Sequence, residues 1–429
     1  MPAAATPLPA RVPEWSDIAL ADLAHLEAEG LALLSDLIRI PSVKGVAAPG
    51  APFGIETRRV LDRFLAEGAA HGFRTAHLDG MAGYVEFGEG PGLVAVLCHL
   101  DVVPAGDGWT GNPFEPVVGE GAIVGRGSLD DKGPAAAAYL AMRFLKDAGV
   151  GHRTRFRLIL GLDEESGSTC MERYRISEET PDWAFTPDAV FPVIHAEKGI
   201  LQCRIRRSRD PASPSSERLP RAEGGSRPNM VPGACRLLFR VRGNETDASA
   251  ASLARLAEAR AIPLRLATAK SEPEPSGRTG TCLSAEVLGV MAHASLPELG
   301  ENAVSRALVL AQAWLAGQGI EDGFLDAFCR LFSTGIDGRG VGIASRDDLS
   351  GPLTLNVGRL ELTPEEAVLD LDIRYPVTLS EQDILDRLLP SLASEGFVFA
   401  RLGGHDPIRF GEDHPLVAAL MEVYRATCD

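Results

Sequence analysis

The stretch GLVAVLCHLDVVP, from Gly92 to Pro104, decides the fold, because an apolar strand there runs directly into polar chemistry. Its first half, Leu93–Leu97, is an uninterrupted apolar run that predicts a strand. His99 and Asp101 follow and are two residues apart, so in an extended chain they face the same way. Because α/β proteins bind ligands at the carboxyl ends of strands, this stretch predicts a site at the edge of a sheet.

Helical spacing and short apolar runs alternate on both sides of this strand. Three segments have the apolar spacing of helices: Ile18–Ile40, Glu56–Gly72 and Pro134–Lys146. Three segments are predicted strands: Tyr84–Phe87, Gly92–Leu97 and Phe156–Leu162. Strands that alternate with helices indicate an α/β layer architecture.

The composition changes beyond Arg204. The segment RRSRDPASPSSERLPRAEGGSRP, residues 206–228, is rich in Pro, Ser and Arg and predicts a long surface loop. Strands and helices alternate again after it, which predicts a second α/β unit inserted into the first. A last helix is predicted from Pro415 to Thr427. The predicted domains are 1–201, an insertion over 202–412, and a return over 413–429.

Composition excludes several kinds of protein. A net charge of -17 argues against nucleic acid or an anionic membrane as partner. The sequence has no apolar run long enough to span a bilayer, and MPAAATPLPARVPEW does not resemble a signal peptide. Seven cysteines without a CxxC pair indicate reduced, mostly buried thiols. Together these features predict a cytoplasmic protein.

Three further acidic clusters join His99. They are Asp130 and Asp131 before the alanine-rich helix, Glu164 and Glu165 after a strand, and Asp188 in TPDAVFP. Taken alone, each has an ordinary explanation: a helix N-cap, a solvated acidic turn, or an Asp after Pro. Two consecutive Asp exceed what a cap needs, however. One imidazole with several carboxylates is the ligand set of a two-zinc hydrolase.

The order and spacing of these clusters resemble the dinuclear zinc metallopeptidases, which include carnosinases, aminoacylases, carboxypeptidases and bacterial PepV-like dipeptidases. The resemblance is closest to the PepV-like dipeptidases and extends through most of the chain. The motifs that carry it are HLDVVPAGDGWTGNPFEP, GRGSLDDKGP, DEESGS, TPDAVFPVIHAEKG, GGSRPNMVP, AHASLPELGENA and LDIRYPV.

The resemblance implies a metal-binding role for four residues. His99 and Asp188 would hold one zinc ion, Asp130 would bridge two ions, and Glu165 would hold the second. Manganese or cobalt could replace zinc. The peptide bond after Asp130 is expected to be cis.

The resemblance also assigns the catalytic work. Glu164 would be the general base, and Asp101 would orient His99 by accepting its other ring N–H. From the inserted lid domain, His293 would stabilise the oxyanion, while Asn229 and Arg374 would hold the substrate.

The fold implied is a three-layer α/β/α catalytic domain with a mixed sheet and an inserted α/β lid domain. In the family a histidine near the C-terminus completes the second metal site. Because the chain stops at EVYRATCD, we expect the C-terminal part of the catalytic domain to be missing and the second metal site to be incomplete. Other histidines could fill the gap: His195 first, then His405 and His414, and with less support His25, His71, His77 and His152.

The sequence therefore predicts a metal-dependent dipeptidase that hydrolyses small unblocked dipeptides with a water activated by two metal ions. Two alternatives stay open. One is an N-acyl-amino-acid deacylase or carboxypeptidase on the same scaffold, and the other is a catalytically impaired metal- or peptide-binding protein. Either a monomer or a homodimer is consistent with the resemblance.

Overall fold

The computed structural model describes residues 20–106, 108–119, 121–150, 153–219, 221–270 and 281–428. His152, the side chain of His25 and the predicted helix start at Ile18 lie outside this description. The chain divides into two compact units, Met1–Ile194 with Asp413–Asp429, and His195–Glu412. Each unit has its own hydrophobic core.

The first unit alternates helices and strands, as predicted. Its helices before the insertion are α1 Leu20–Ile38, α2 Ile55–Ala70, α3 Lys132–Asp147 and α4 Thr169–Ser177. Its strands are β1 Arg74–Leu78, β2 Ala82–Phe87, β3 Gly92–His99, β4 Val117–Gly119, β5 Ala122–Val124, β6 Thr154–Gly161 and β7 Trp183–Phe185. A single turn of 3-10 helix covers Glu164–Ser166.

Five of these strands form a mixed sheet in the order β1-β2-β6-β3-β7. The first three are antiparallel neighbours, whereas β6, β3 and β7 run parallel. Helices α2 and α3 cover one face, where Phe64 and Tyr139 pack edge to face with ring centroids 5.5 Å apart. Helix α4 covers the other face, where the hydroxyl of Tyr174 accepts a hydrogen bond from Arg157. The predicted three-layer α/β arrangement with a mixed sheet is confirmed.

The second unit is built on a larger sheet. Its strands are β8 Ala196–Glu197, β9 Gly199–Ser208, β10 Arg221–Gly224, β11 Met230–Val231, β12 Ala234–Val241, β13 Leu264–Lys270, β14 Thr281–Leu288, β15 Ala292–His293, β16 Arg346–Asp347, β17 Gly351–Pro352, β18 Thr354–Leu362, β19 Glu366–Tyr375, β20 Val398–His405 and β21 Ile408–Arg409. Its helices are α5 Pro214–Arg218, α6 Thr246–Glu258, α7 Ala303–Ala316, α8 Gly323–Leu331 and α9 Glu381–Ser394. Eight strands form one sheet in the order β13-β14-β12-β10-β18-β19-β9-β20.

The prediction of a long surface loop over residues 206–228 is wrong. Strand β9 runs through Ser208, and α5 and β10 follow within the predicted loop. Inward-facing Leu219 and Ala222 are fully buried in the core of the second unit. Arg221 and Glu223, on either side of Ala222, are exposed, and such polar residues gave the segment the composition of a loop although it contains a strand.

The chain returns to the first unit in α10, Pro415–Cys428. The first division falls at 194/195, whereas the sequence predicted 201/202. The difference arises because 201/202 lies inside β9, and β9 pairs with β19 and β20 of the second sheet. The second division, at 412/413, coincides with the predicted one.

The described helices include none that is long and apolar enough to cross a membrane. All seven cysteines are free, and five of them are buried: Cys98, Cys170, Cys203, Cys235 and Cys282. This agrees with the prediction of reduced, mostly buried thiols.

Candidate active site

The candidate site of the first unit lies where three parallel strands end. His99 is the last residue of the central strand β3, Glu164 follows β6, and Asp188 follows β7. Because these strands are neighbours in the order β6-β3-β7, their carboxyl ends meet at one edge of the sheet. Asp130 enters the same place from the loop that precedes α3.

The imidazole of His99 is buried and its two nitrogens have different surroundings. Nδ1 lies 2.9 Å from the backbone carbonyl oxygen of Asp101, so we assign the ring proton to Nδ1, which donates it to that oxygen. Nε2 lies 3.0 Å from Asp130 Oδ1 and 3.4 Å from Asp188 Oδ2. Despite these short distances, Nε2 makes no hydrogen bond of acceptable geometry. Its lone pair therefore points towards two carboxylates that cannot donate to it when they are ionised.

The donor set of this cluster fits a divalent metal ion. Ligand atoms of His99, Asp130 and Asp188 all lie within 4.8 Å of one another. Bond lengths of about 2.0–2.2 Å around tetrahedral zinc place neighbouring ligand atoms roughly 3.3 Å apart, close to the distances from Nε2 to the two carboxylates. The buried Nε2 without a hydrogen bond is then explained as a metal ligand.

Acidic groups crowd this region and perturb one another. Burial and the neighbouring carboxylates of Asp130 and Glu164 raise the pKa of Glu165 to about 7. Burial also raises the pKa of Glu164 above its ordinary value. So much unneutralised negative charge in a partly buried place favours a bound cation.

Asp101 has a different contact from the one that the sequence predicted. Its backbone carbonyl holds the ring of His99, while the nearest carboxylate oxygen is 3.4 Å from Nδ1. The carboxylate instead accepts the backbone N–H groups of Glu164 and Glu165, each at 3.2 Å. Asp101 is fully buried, so it fixes both the imidazole and the acidic turn after β6.

Two further buried carboxylates support the cluster, and neither was assigned a role in the sequence analysis. Asp131 Oδ2 accepts the backbone N–H of His99 at 2.9 Å. Asp163 accepts the backbone N–H groups of Thr169 and Cys170 and so ties the acidic turn to the start of α4. In the sequence, the signal for a supporting role of these two residues was their position: Asp131 directly follows Asp130, and Asp163 directly precedes Glu164. The peptide bond between Asp130 and Asp131 is cis, as the resemblance implied.

The charge of Asp130 acts on Glu165, but among the described residues Glu165 joins no group of three ligand atoms with the spacing of a metal site. His195 Nδ1 lies 2.8 Å from the carbonyl oxygen of Phe410, and His405 Nδ1 lies 2.8 Å from that of Asp406. His414 packs against Trp183. Among the described side chains, none of these three histidines joins a group of ligand atoms with the spacing of a metal site.

The residues predicted to contact substrate from the inserted domain lie together on the second unit. Asn229 accepts the backbone N–H of Ala294 at 3.0 Å, one residue beyond His293. Thr354 places its hydroxyl 3.5 Å from the carbonyl oxygen of Ala294 and pairs with Arg374 across β18 and β19. The chain segments of Asn229, His293 and Arg374 are thereby linked to one another.

The orientation of His293 is set by Ser295. Nδ1 of the imidazole accepts the backbone N–H of Ser295 at 3.3 Å and lies 2.7 Å from its hydroxyl. With Nδ1 as acceptor, the ring proton is on Nε2, which can donate a hydrogen bond. Burial and the positive charge of Arg374 lower the pKa of His293 and so favour this neutral form.

Arg374 is held by a buried carboxylate. Its Nε donates to Asp372 Oδ1 at 2.7 Å, and Asp372 is completely buried. The sequence analysis missed Asp372, although residues two apart on a strand share a face and the pair lies within LDIRYPV.

Comparison with known proteins identifies the family. The model of peptidase family M20/M25/M40 matches residues 95–428. The chain belongs to this family. A relative from Bacillus subtilis, named "Putative dipeptidase YtjP", is 37% identical over 397 residues, which are 91% of this chain and 81% of that protein. A Staphylococcus epidermidis relative named "Putative dipeptidase" is 33% identical over 398 residues, covering 91% of this chain and 82% of its own length.

Solved structures agree on the fold of this M20/M25/M40 peptidase. Human carnosine dipeptidase 1 matches with a TM-score of 0.52 at 15% identity, over 95% of this chain and 85% of that one. Aminoacylhistidine dipeptidase from Vibrio alginolyticus matches with a TM-score of 0.51 at 12% identity, over 96% of this chain and 86% of that one. The family is metal-dependent, which agrees with the candidate ligands His99, Asp130 and Asp188.

Proposed function

We propose that this M20/M25/M40 peptidase is a metal-dependent dipeptidase that hydrolyses small unblocked dipeptides. The observation that carries the proposal is the cluster of His99, Asp130 and Asp188, with Glu164 Oε2 only 3.9 Å from His99 Nε2. A candidate base thus lies beside candidate metal ligands. The names of the two bacterial relatives support a dipeptide substrate.

His99, Asp130 and Asp188 would hold one metal ion, and Asp130 with Glu165 would hold a second more weakly. Zinc suits the mixed nitrogen and oxygen donors, and manganese or cobalt are alternatives. When bound, the metal supplies a Lewis acid that polarises the scissile carbonyl and lowers the pKa of water. Elemental analysis after dialysis should give clearly fewer than two ions per chain.

Glu164 acts as the general base. Its carboxylate takes a proton from the attacking water and delivers it to the leaving amine. The raised pKa of Glu164 suits this exchange, because a base is most effective when its pKa approaches the working pH. The backbone N–H of Glu164 donates a hydrogen bond to Asp101, which fixes the backbone position from which the Glu164 side chain extends.

The second unit supplies substrate recognition. The Nε2–H of His293 is suited to donate to the oxyanion that forms at the scissile carbonyl. Asn229 and Arg374 hold the rest of the dipeptide, and the guanidinium of Arg374 matches a terminal carboxylate. A cytoplasmic protein that acts as a monomer or homodimer is consistent with this chemistry.

The test compares three substrates on metal-replenished protein: a free dipeptide, the same dipeptide with an acetylated amino group, and its C-terminal amide. We expect the free dipeptide to be hydrolysed with the highest kcat/KM. Preference for the acetylated peptide would point to a deacylase or carboxypeptidase instead. If the protein binds metal but hydrolyses none of the three substrates, the alternative of a catalytically impaired binding protein is supported instead.

A further inference from the structure

Lys198 lies directly before β9, the strand in which Ile200 pairs with Arg374. It belongs to the HAEKG part of a motif and directly precedes Gly199, the first residue of β9. Gly199 pairs with Tyr375 so closely that a Cβ atom on it would lie 2.2 Å from the Tyr375 ring. The backbone of Lys198 therefore enters the sheet beside the end of β19 that carries Arg374.

The side chain of Lys198 reaches across this end of the sheet. Its ammonium donates to the carbonyl oxygen of Pro352 at 2.5 Å. Pro352 lies two residues before Thr354, which pairs with Arg374. The ammonium and the guanidinium are thus anchored to neighbouring positions, and the positive charge of Arg374 acts together with burial to lower the pKa of Lys198.

The ammonium has spare donors and no close counter-ion. Of its three N–H groups, one is used by Pro352. No carboxylate of the described residues lies within 4.0 Å of it. Glu298 and Asp347 act on it only at longer range and oppose the lowering of its pKa.

Arg374, in contrast, already has a counter-ion. Asp372 receives its Nε at 2.7 Å and also accepts Gln202 Nε2 at 2.9 Å. The charges of Arg374 and Asp372 largely cancel, whereas Lys198 has no carboxylate within ion-pair distance among the described residues.

We propose that Lys198 and Arg374 together bind the α-carboxylate of the substrate's C-terminal residue, so that Lys198 restricts hydrolysis to peptides with a free carboxylate. This inference rests on the proposed dipeptidase function. The guanidinium of Arg374 contributes hydrogen bonds of defined direction. The ammonium of Lys198 contributes a positive charge that attracts a free carboxylate but not a neutral amide or a continuing peptide chain.

The experiment compares a dipeptide with its C-terminal amide on three variants. Lys198→Met should lower kcat/KM for the free dipeptide about 10- to 100-fold, mainly through KM, as expected for loss of a charged hydrogen bond. Activity on the amide should barely change. Lys198→Arg should recover most of the loss. Arg206→Met is the matched control, because Arg206 lies on β9, the strand that follows Lys198, but pairs with Glu366 at 3.3 Å.

A loss that is equal for the dipeptide and the amide would mean that Lys198 is only structural, and an unchanged dipeptide rate would overturn the inference outright. Calorimetric binding in a Glu164→Gln background separates this from the proposed function. If the wild type hydrolyses nothing, yet Lys198→Met weakens binding of the dipeptide and not of the amide, the carboxylate site stands and the dipeptidase proposal fails. Absence of dipeptide binding would overturn both.

Discussion

The two units collect opposite charges. The cluster of the first unit consists of one imidazole and four carboxylates: His99, with Asp130, Glu164, Glu165 and Asp188. The second unit has a cluster of basic side chains, Lys198, His293 and Arg374, in which Lys198 and Arg374 are the cations and the neutral form of His293 is favoured. In the first, burial and neighbouring carboxylates raise the pKa of Glu165 to about 7. In the second, burial and Arg374 lower the pKa values of His293 and Lys198.

The opposite charges of the two clusters predict different ligands for them. Like charges that are partly buried together are unfavourable until an opposite charge joins them. The acidic cluster therefore suits a metal cation, and the basic cluster suits a carboxylate. Under the proposed function, the acidic cluster would serve the activation of water and the basic cluster the recognition of a terminal carboxylate.

The largest expected effect separates two adjacent glutamates of the acidic cluster. Glu164→Gln should reduce kcat by roughly two to four orders of magnitude, the usual contribution of a general base, with little change in metal content. Glu165→Gln is the matched control and should instead lower the number of metal ions retained. Steady-state kinetics with elemental analysis measures both. If Glu164→Gln loses metal but keeps its rate per ion, Glu164 is a ligand.

The next effect tests the basic cluster. His293→Ala should lower kcat about 100- to 1000-fold, because an oxyanion donor acts mainly in the transition state. Metal content should not change, since His293 is assigned no metal contact. Unchanged kinetics would return His293 to the status of an ordinary surface histidine. Ser295→Ala, which removes only the hydroxyl beside Nδ1, should have a smaller effect.

Asp101→Asn should weaken metal affinity or activity about 10- to 100-fold, the usual effect of changing a group that orients metal ligands. An amide in place of the carboxylate cannot accept both backbone N–H groups of the acidic turn. Asp182→Asn is the control, because Asp182 accepts a backbone N–H from Leu93 away from the cluster. Competition with a chelator measures the affinity, and equal values for the two variants would contradict the role of Asp101.

The smallest effect is a thermal shift that distinguishes the units. Zinc at about ten times its dissociation constant should stabilise the chelator-treated protein by about 1.4 kcal/mol. His99→Gln should abolish this shift, while Arg374→Met should retain it. Thermal unfolding with and without zinc gives the result. Loss of the shift in Arg374→Met would show that the basic cluster affects metal binding.

The sequence predicted that His99, Asp130 and Asp188 share a site, and the structure brings ligand atoms of these three residues within 4.8 Å of one another. The candidate ligands of this site follow strand ends and a helix start that the apolar pattern located. Local periodicity and capping are properties of neighbouring residues, so they can be recognised without knowledge of the fold. The resemblance supplied the roles of these residues, which stay predictions until the variants are measured.

Which charged side chains neutralise one another depends on the tertiary structure. Residues 206–228 have the composition of a loop, yet β10 within them pairs with β12 and β18 far along the chain. The split role of Asp101 and the pairing of Arg374 with Asp372 depend on side-chain directions within folded strands. Lys198 shows the same limit, since its charge matters only because Pro352, 154 residues later, brings it towards Arg374. Electrostatic interactions depend on distance in space, and sequence separation does not fix that distance.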